Sequence, residues 1–202
     1  IYLSDHGEML GEKGLWTRQV MYEASVGIPL IMTGPNVPAD NIYKTAVSLV
    51  DIAATERDVI QLPSDADCPG QSVGMFAAVP DDGDRTVFSE YHDGGSSTRA
   101  FMVRWQNWRY VHCVWGLPPQ LFDLATDLGE LSDRGLDPAP DAVAARSEGA
   151  RRLMEICDAD AVDRQCRADQ KVRIASLGGR KACQEAYLFN HTPTPTEQAA
   201  ME

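Results

Sequence analysis

The hydrophobic period of this 202-residue chain changes twice, and those changes restrict its fold more than any other feature. Between Thr45 and Ile60 the apolar residues recur at helical spacing, which predicts an amphipathic helix. From Thr86 to Leu124 the period is two, in short runs joined by turn residues, which predicts an antiparallel meander. The helical period returns from Asp141 onward. Short strands therefore lie between helical segments along the sequence.

The boundaries of these elements follow from turn residues and helix breakers. Residues 62–85 are rich in Pro, Gly and Asp and are predicted to form a surface loop, whereas Asp137-Pro138-Ala139-Pro140 ends the meander. The sequence predicts strands at Thr86–Tyr91, Ala100–Arg104, Trp108–Cys113 and Gln120–Leu124, and helices at Asp141–Cys157, Asp160–Leu177 and Arg180–Tyr187.

Two short apolar runs precede these elements. Ile1–Leu3 ends at Ser4-Asp5-His6-Gly7, and Ile28–Met32 ends at Gly34-Pro35. Such runs, bounded by turn residues, are typical of buried parallel strands. The order of elements predicts an α/β fold in three parts: the C-terminal part of an α/β domain at 1–85, an antiparallel sheet at 86–135, and helices with an extended tail at 136–202, the last two forming a small α+β subdomain.

The charge balance limits the kinds of partner. The formal net charge is −12, from 30 acidic and 18 basic residues. Nucleic acid and anionic membranes both attract basic patches, so neither is expected as a partner. No apolar run reaches the roughly 18 residues that a membrane span needs. An anionic substrate stays possible, because a metal ion and one or two cations can dominate a small site.

The cysteines and the first residue bear on the compartment and on completeness. The count of five cysteines is odd and no two are spaced as CxxC, which argues against a zinc site and against a disulfide framework. Free thiols favour a reducing, cytoplasmic compartment. The chain starts with Ile1, inside an apparent strand, and is expected to be a fragment, so its targeting is left open.

Asp5 and His6 directly follow the first predicted strand and precede a glycine. In open α/β sheets, functional groups gather just beyond the carboxyl ends of strands. A carboxylate beside an imidazole offers two ligands to a divalent cation. The alternative for this tripeptide alone is a structural turn in which the Asp5 carboxylate caps backbone N–H groups.

The tripeptide belongs to a longer string, Ser4-Asp5-His6-Gly7-Glu8-Met9-Leu10-Gly11-Glu12-Lys13-Gly14-Leu15-Trp16, followed by Tyr22-Glu23-Ala24-Ser25 and Ile28-Pro29-Leu30-Ile31. This string resembles the second signature region of the sulfatases, which belong to the alkaline-phosphatase-like superfamily. Val47–Ile52 resembles the helix that follows in this family, and Leu121–Leu124, with Asp127 and Glu130, resembles its late strand-and-turn motif. The resemblance implies that the α/β part is the end of an alkaline-phosphatase-like domain.

The resemblance implies a metal site and a missing nucleophile. Asp5 and His6 occupy the positions that coordinate a divalent cation, which is calcium in many members. Manganese is frequent in the Asp-His branches, which are choline-sulfatase-like and phosphonate-monoester-hydrolase-like. The nucleophile of the family is a cysteine oxidised to formylglycine in a Cys-x-Pro-x-Arg segment far upstream. None of the cysteines in this chain is followed by x-Pro-x-Arg, so the chain alone is expected to be inactive.

Two further residues are candidates for contact with substrate. Arg18 stands where the family usually has a lysine that contacts the sulfate, and a guanidinium holds a tetrahedral oxyanion through two N–H groups. Similar branches have a Glu-Tyr-His at the position of Glu90-Tyr91-His92, from which His92 would bind the leaving group or act as an acid. A plain surface histidine is an equally good interpretation of His92.

Three hypotheses follow. The first is a fragment of a metal-dependent sulfuric ester hydrolase that acts on a small sulfate ester. The second is a phosphonate or phosphate ester hydrolase of the same superfamily, because both kinds of ester are tetrahedral anions. The third is a non-catalytic remnant that serves as a binding or assembly module. The Pro-rich tail around His191 is also a candidate for contact with a second copy of the chain.

Overall fold

The computed structural model describes residues 1–16, 18–35, 37–63, 65–76, 79–92 and 99–186. The chain divides into two compact units, Ile1–Asp160 and Ala161–Glu202. The predicted boundaries near residues 85 and 135 stay predictions. The extended tail and its possible contact with a second copy lie outside the described residues.

The described elements are β1 (Tyr2–Leu3), a 3-10 helix (Glu12–Gly14), α1 (Glu23–Val26), β2 (Leu30–Ile31), α2 (Val50–Val59), α3 (Val73–Phe76), β3 (Val87–Tyr91), β4 (Ala100–Trp105), β5 (Trp108–Cys113), β6 (Gln120–Asp123), α4 (Pro140–Ile156), α5 (Ala159–Ser176) and α6 (Arg180–Ala186). Among them, no helix is both long and apolar enough to cross a membrane.

The centre of the first unit is the antiparallel sheet β3-β4-β5-β6, in which each strand pairs with the next along the chain. The predicted strand limits agree with this sheet to within one residue, since period-two alternation and turn residues are local signals. Side chains alternate between its two faces. On one face, Met102 and Val111 pack against Met21. On the other face, Trp105 and Tyr110 lie against α4.

Helix α4 covers the second face with small residues. Pro140 lies in its first turn, where a missing N–H costs nothing. Its buried residues recur every three or four positions, as a helix that packs on a sheet requires. They are Ala142, Ala145, Gly149 and Leu153. The first three are small, so the helix backbone lies close to the sheet.

The predicted parallel pairing at the start of the chain is wrong. β1 and β2 are antiparallel, two residues each, with Tyr2 opposite Ile31 and Leu3 opposite Leu30. Both Tyr2 and Ile31 are more than half exposed. A short apolar run has the same sequence pattern in either direction, so periodicity does not reveal the direction of pairing.

Helix α2 begins at Val50, five residues later than predicted, because a buried aspartate organises the segment before it. The Asp51 carboxylate accepts hydrogen bonds from the backbone N–H groups of Ser48 (2.7 Å) and Gln71 (2.9 Å) and forms an ion pair with Arg85 (2.8 Å). These bonds tie the start of α2 to the loop at 62–85, which also contains the single turn of α3.

Candidate active site

Asp5 and His6 lie together just beyond β1, at the mouth of a cleft. The Asp5 Oδ2 atom is 3.6 Å from His6 Nε2, and the side chains are 83% and 42% exposed, respectively. The other carboxylate oxygen, Oδ1, accepts a hydrogen bond from the His6 backbone N–H at 3.0 Å. In the part of the chain that the structure describes, no third His, Cys, Asp or Glu completes a group that could hold a metal ion.

The hydrogen bond of the His6 ring fixes which nitrogen faces Asp5. His6 Nδ1 lies 2.7 Å from the carbonyl oxygen of Gly7. Because a carbonyl oxygen only accepts, Nδ1 carries the hydrogen. In the neutral ring Nε2 then has a lone pair, whereas in a doubly protonated ring Nε2 would donate to Asp5 instead. That lone pair faces a carboxylate oxygen, another acceptor. A cation between them would bond to both, since neighbouring ligands of one ion lie roughly 3–3.5 Å apart when the bonds are about 2.0–2.5 Å long.

Gly7 fixes the position of this pair relative to α1. The Gly7 N–H donates to the carbonyl of Ser25 at 2.8 Å. A Cβ atom on Gly7 would lie 2.1 Å from the carbonyl oxygen of Ala24, so only glycine allows this approach. Two residues further on, Met9 is fully buried. The loop after the Asp-His pair is therefore anchored at two points.

Arg18 lines the same cleft as Asp5 and His6, a space of about 1140 Å³. Its side chain is 56% exposed, and its Nη1 atom is 3.6 Å from Glu8 Oε2. The backbone carbonyl of Arg18 accepts a hydrogen bond from the Ser25 hydroxyl. The structure thus brings three of the four predicted site residues around one cleft.

His92 is not among the residues that line this cleft. Its ring packs edge-on against Phe101, with ring centroids 5.0 Å apart, and its Nε2 is 3.1 Å from Glu90 Oε2. Phe101 pairs with Glu90 across β3 and β4, on the face opposite to Met102. This placement does not support a contact between His92 and a substrate held by Asp5, His6 and Arg18.

Sequence reasoning missed a buried charged group beside the cleft. Arg109, 1% exposed, forms ion pairs with Glu23 on α1 and with Glu130 in the turn after β6. Glu23 and Arg109 both line the cleft. One signal was present in the sequence: period-two alternation places Arg109 on the same face as Val111, where a charged side chain needs a buried partner.

The turn that carries Glu130 is itself held by a carboxylate. Asp127 Oδ2 accepts a hydrogen bond from the Ser132 N–H at 2.8 Å. The backbone N–H groups of Leu131 and Ser132 hold the pKa of Asp127 below its usual range, because they stabilise the charged form. These bonds close the turn on the side from which Glu130 reaches α1.

The strand-end Asp-His-Gly loop and the antiparallel sheet with its covering helix agree with the architecture that the resemblance to the sulfatases implies. Residues 11–155 match the family described as N-sulphoglucosamine sulphohydrolase, C-terminal. The chain belongs to this family of sulfatases. The matched stretch includes Arg18 and Arg109, whereas Asp5 and His6 precede it.

Curated relatives agree with this assignment. The chain is 34% identical to human arylsulfatase K over 143 residues, which cover 66% of this chain and 27% of that protein. It is 32% identical to choline-sulfatase of Rhizobium meliloti over 140 residues, which cover 68% and 27%, respectively. The chain thus spans about a quarter of the length of the curated relatives that it matches.

Solved structures share the fold. A protein in complex with its substrate D-glucosamine-2-N,6-O-disulfate superimposes with a TM-score of 0.68 at 22% identity, over 77% of this chain and 33% of that one. A phosphonate monoester hydrolase from Silicibacter pomeroyi gives a TM-score of 0.65 at 24% identity, over 76% and 33%.

Proposed function

We propose that this chain is the C-terminal part of a sulfuric ester hydrolase in which Asp5 and His6 bind a divalent cation and Arg18 binds the transferring sulfuryl group. The observation that carries the proposal is the placement of His6 Nε2 3.6 Å from Asp5 Oδ2, beside a cleft that Arg18 also lines. Two acceptors held so close are suited to a shared cation. The similarity to arylsulfatase K and choline-sulfatase supports the substrate class.

The donor atoms favour manganese over calcium. Calcium takes oxygen ligands, whereas an imidazole nitrogen suits a transition metal, and a carboxylate suits manganese well. The Nδ1–H bond to the Gly7 carbonyl would hold the His6 ring in the orientation that a ligand needs. The remaining ligands would come from a longer protein that carries this chain.

Each residue of the site would have a distinct part in the reaction. A bound divalent cation would polarise the ester and neutralise developing negative charge. Arg18 would donate two N–H groups to oxygens of the tetrahedral group and keep it in place during transfer. The nucleophile would come from upstream, because no cysteine in this chain has the x-Pro-x-Arg context.

Paramagnetic NMR broadening by Mn²⁺ tests the metal part on the chain itself, because it detects weak binding by two ligands. Substoichiometric Mn²⁺ should broaden the amide signals of residues 5–7 first. Asp5→Asn and His6→Gln should each remove this selectivity. Asp169→Asn, which removes a carboxylate from the exposed side of α5, is the matched control and should keep it. Broadening that is centred elsewhere, or that survives in Asp5→Asn, would refute the metal site.

Phosphonate ester hydrolysis is the second candidate. The likeness to a phosphonate monoester hydrolase, with a TM-score of 0.65, favours it at the level of fold. Sulfate and phosphonate monoesters are both tetrahedral anions, which Arg18 would hold in the same way. In a longer protein that includes the nucleophile segment, the ratio of kcat/KM for an aryl sulfate to that for the matching phosphonate ester decides between the two.

A further inference from the structure

A buried group of charges joins α1 to the sheet. Arg109 donates through Nη1 to Glu130 Oε1 and through Nη2 to Glu23 Oε2. The second oxygen of Glu130, Oε2, accepts the backbone N–H of Glu23 at 2.7 Å. Glu130 therefore binds both the arginine and the first residue of α1. We call Glu23, Arg109 and Glu130 the Arg109 clamp.

Lys13 ties the metal-site loop to the same turn. Its Nζ atom donates to the carbonyl of Gly129 at 3.0 Å and to that of Glu130, and lies 4.8 Å from the ring centroid of Tyr22. Lys13 and Glu130 both have left-handed backbone conformations, with φ of 54° and 52°. Such conformations cost free energy in non-glycine residues and persist only where surrounding contacts hold them.

Helix α1 connects the Arg109 clamp to the candidate site through hydrogen bonds of Ser25. Ser25 is buried, its carbonyl accepts the Gly7 N–H, and its hydroxyl donates to the carbonyl of Arg18. A helix of four residues therefore touches the segment next to His6 and the backbone of Arg18. If α1 shifts, the separation between the Asp5–His6 pair and Arg18 must change.

We propose that Arg109 is a positioning residue, which acts through Glu23 and Glu130 to set the place of α1 and hence the geometry of Asp5, His6 and Arg18. This inference rests on the proposed function above. Arg109 lines the cleft, yet it is not a ligand for an anionic substrate. Its terminal nitrogens bind two carboxylates, so the clamp carries a net negative charge that repels an anion.

The chemistry of the clamp agrees with a positioning role rather than a role in stability. Burying the charges of Arg109 and Glu130 carries a desolvation cost, and apolar side chains of similar size often give equal stability. A guanidinium fork that bridges two carboxylates adds fixed distances and angles, which apolar contacts do not supply. The clamp therefore provides orientation at the start of α1.

The test compares Glu130→Gln and Arg109→Lys with the wild-type chain, by hydrogen exchange at each amide and by Mn²⁺ titration. Glu130→Gln keeps the size of the side chain but removes its charge and one of its two acceptor oxygens, so residue 130 can no longer bind both Arg109 and the Glu23 N–H as a carboxylate does. We expect faster exchange at the Gly7 amide and about tenfold weaker Mn²⁺ binding, the lower end of the loss when a direct hydrogen bond to a metal ligand is removed, because the clamp acts on the ligands only through α1. Arg109→Lys keeps the positive charge but loses the two-pronged guanidinium group. Its Gly7 exchange rate and its Mn²⁺ affinity should lie between those of the wild type and Glu130→Gln.

Arg152→Met is the matched control. Arg152 is a partly buried arginine that pairs with Glu148 and Asp84, away from α1. The Arg152→Met variant should therefore keep the wild-type exchange rate at the Gly7 amide and the wild-type affinity for Mn²⁺. If Glu130→Gln proves too unstable to fold, Glu23→Gln breaks the outer half of the clamp and should give the same two effects in weaker form.

The outcomes separate this inference from the proposed function. If the wild-type chain does not bind Mn²⁺ at residues 5–7, the proposed function fails and the inference falls with it. If the wild type binds Mn²⁺ and both clamp variants bind it equally well, the inference alone is overturned. Equal loss of protection at Gly7 in Arg152→Met would also overturn it, because the effect would then reflect general stability.

Discussion

Gly149→Ala should destabilise the protein, although alanine is the better residue in a helix. Gly149 is buried in the middle of α4, where it faces the sheet. A Cβ atom at this position would lie 2.6 Å from Cβ and Cγ of Tyr110 and 3.0 Å from Cη2 of Trp105. Both aromatic side chains are almost fully buried, on the two central strands, and cannot move aside. The helix itself must shift outward.

Two opposing terms give the magnitude. Overpacking a well-packed core costs about 1–3 kcal/mol. Replacing glycine by alanine in a helix interior gains about 1 kcal/mol. The net result is a loss of about 0–2 kcal/mol in the free energy of unfolding, or a fall in Tm of up to about 8 °C for a chain of this size.

Urea unfolding, followed by tryptophan fluorescence, measures this loss directly because Trp105 lies at the contact. Ser147→Ala is the matched control, since Ser147 is two residues away on the exposed side of the same helix. It should gain up to about 0.5 kcal/mol from helix propensity. If Gly149→Ala instead stabilised the protein by about 1 kcal/mol, α4 would not lie as close to the sheet as described, and the argument would be wrong.

Four further outcomes are expected. Asp51→Ala should cost about 3–5 kcal/mol by urea unfolding, because it leaves buried partners without their charge, and a loss below about 1 kcal/mol would contradict the network. The hydrogen bond from Arg151, more than that from Arg152, lowers the pKa of Glu148 to about 2. Because this folded-state pKa lies below the unfolded value, the stabilisation is complete above about pH 4.5 and is lost as the pH falls through about 2, so the stability difference between wild type and Glu148→Gln should shrink across that window; a constant difference would refute it. In a longer protein with the nucleophile segment, Arg18→Ala should lower kcat/KM by about 10²- to 10³-fold and Arg18→Lys should recover part of it, whereas a twofold effect would remove Arg18 from the site. The 202-residue chain alone should not hydrolyse aryl sulfates or phosphonates, and metal-dependent turnover that Asp5→Ala abolishes would show that the nucleophile lies within it.

Local sequence signals predicted the sheet and helices α4 to α6 to within one residue, whereas long-range contacts decided the pairing of β1 with β2 and the start of α2. Strand limits follow from alternation and turns, so β3 to β6 agree to within one residue. The direction of β1 and β2 does not follow, because pairing depends on which distant segment lies alongside. The late start of α2 depends on bonds of Asp51 with Gln71 and Arg85, at sequence distances of 20 and 34 residues.

In the candidate site, too, local sequence patterns predict neighbouring residues but not long-range contacts. The Asp5–His6 pair is adjacent in sequence, and a motif suffices to find it. His92 comes just after the end of β3, and its contact with Phe101 depends on pairing between β3 and β4; its role at the substrate stays a prediction. Glu23 and Glu130 belonged to recognisable motifs, yet their shared partner is an arginine in a strand far from α1 in sequence. No local sequence pattern predicts which residues pair with Arg109.

The Arg109 clamp also fixes the order in which this region is completed during synthesis. Glu23 leaves the ribosome 86 residues before Arg109 and 107 residues before Glu130. At translation rates of about 5–20 residues per second, Arg109 and Glu130 are synthesised roughly 5–20 s after the first turn of α1. Until then this turn lacks the contacts that hold it in place. Asp5 and His6 are made before Glu23, yet their geometry is settled only after Arg109 and Glu130 have followed. The nascent chain is therefore expected to carry Asp5 and His6 without their final geometry until the meander has folded.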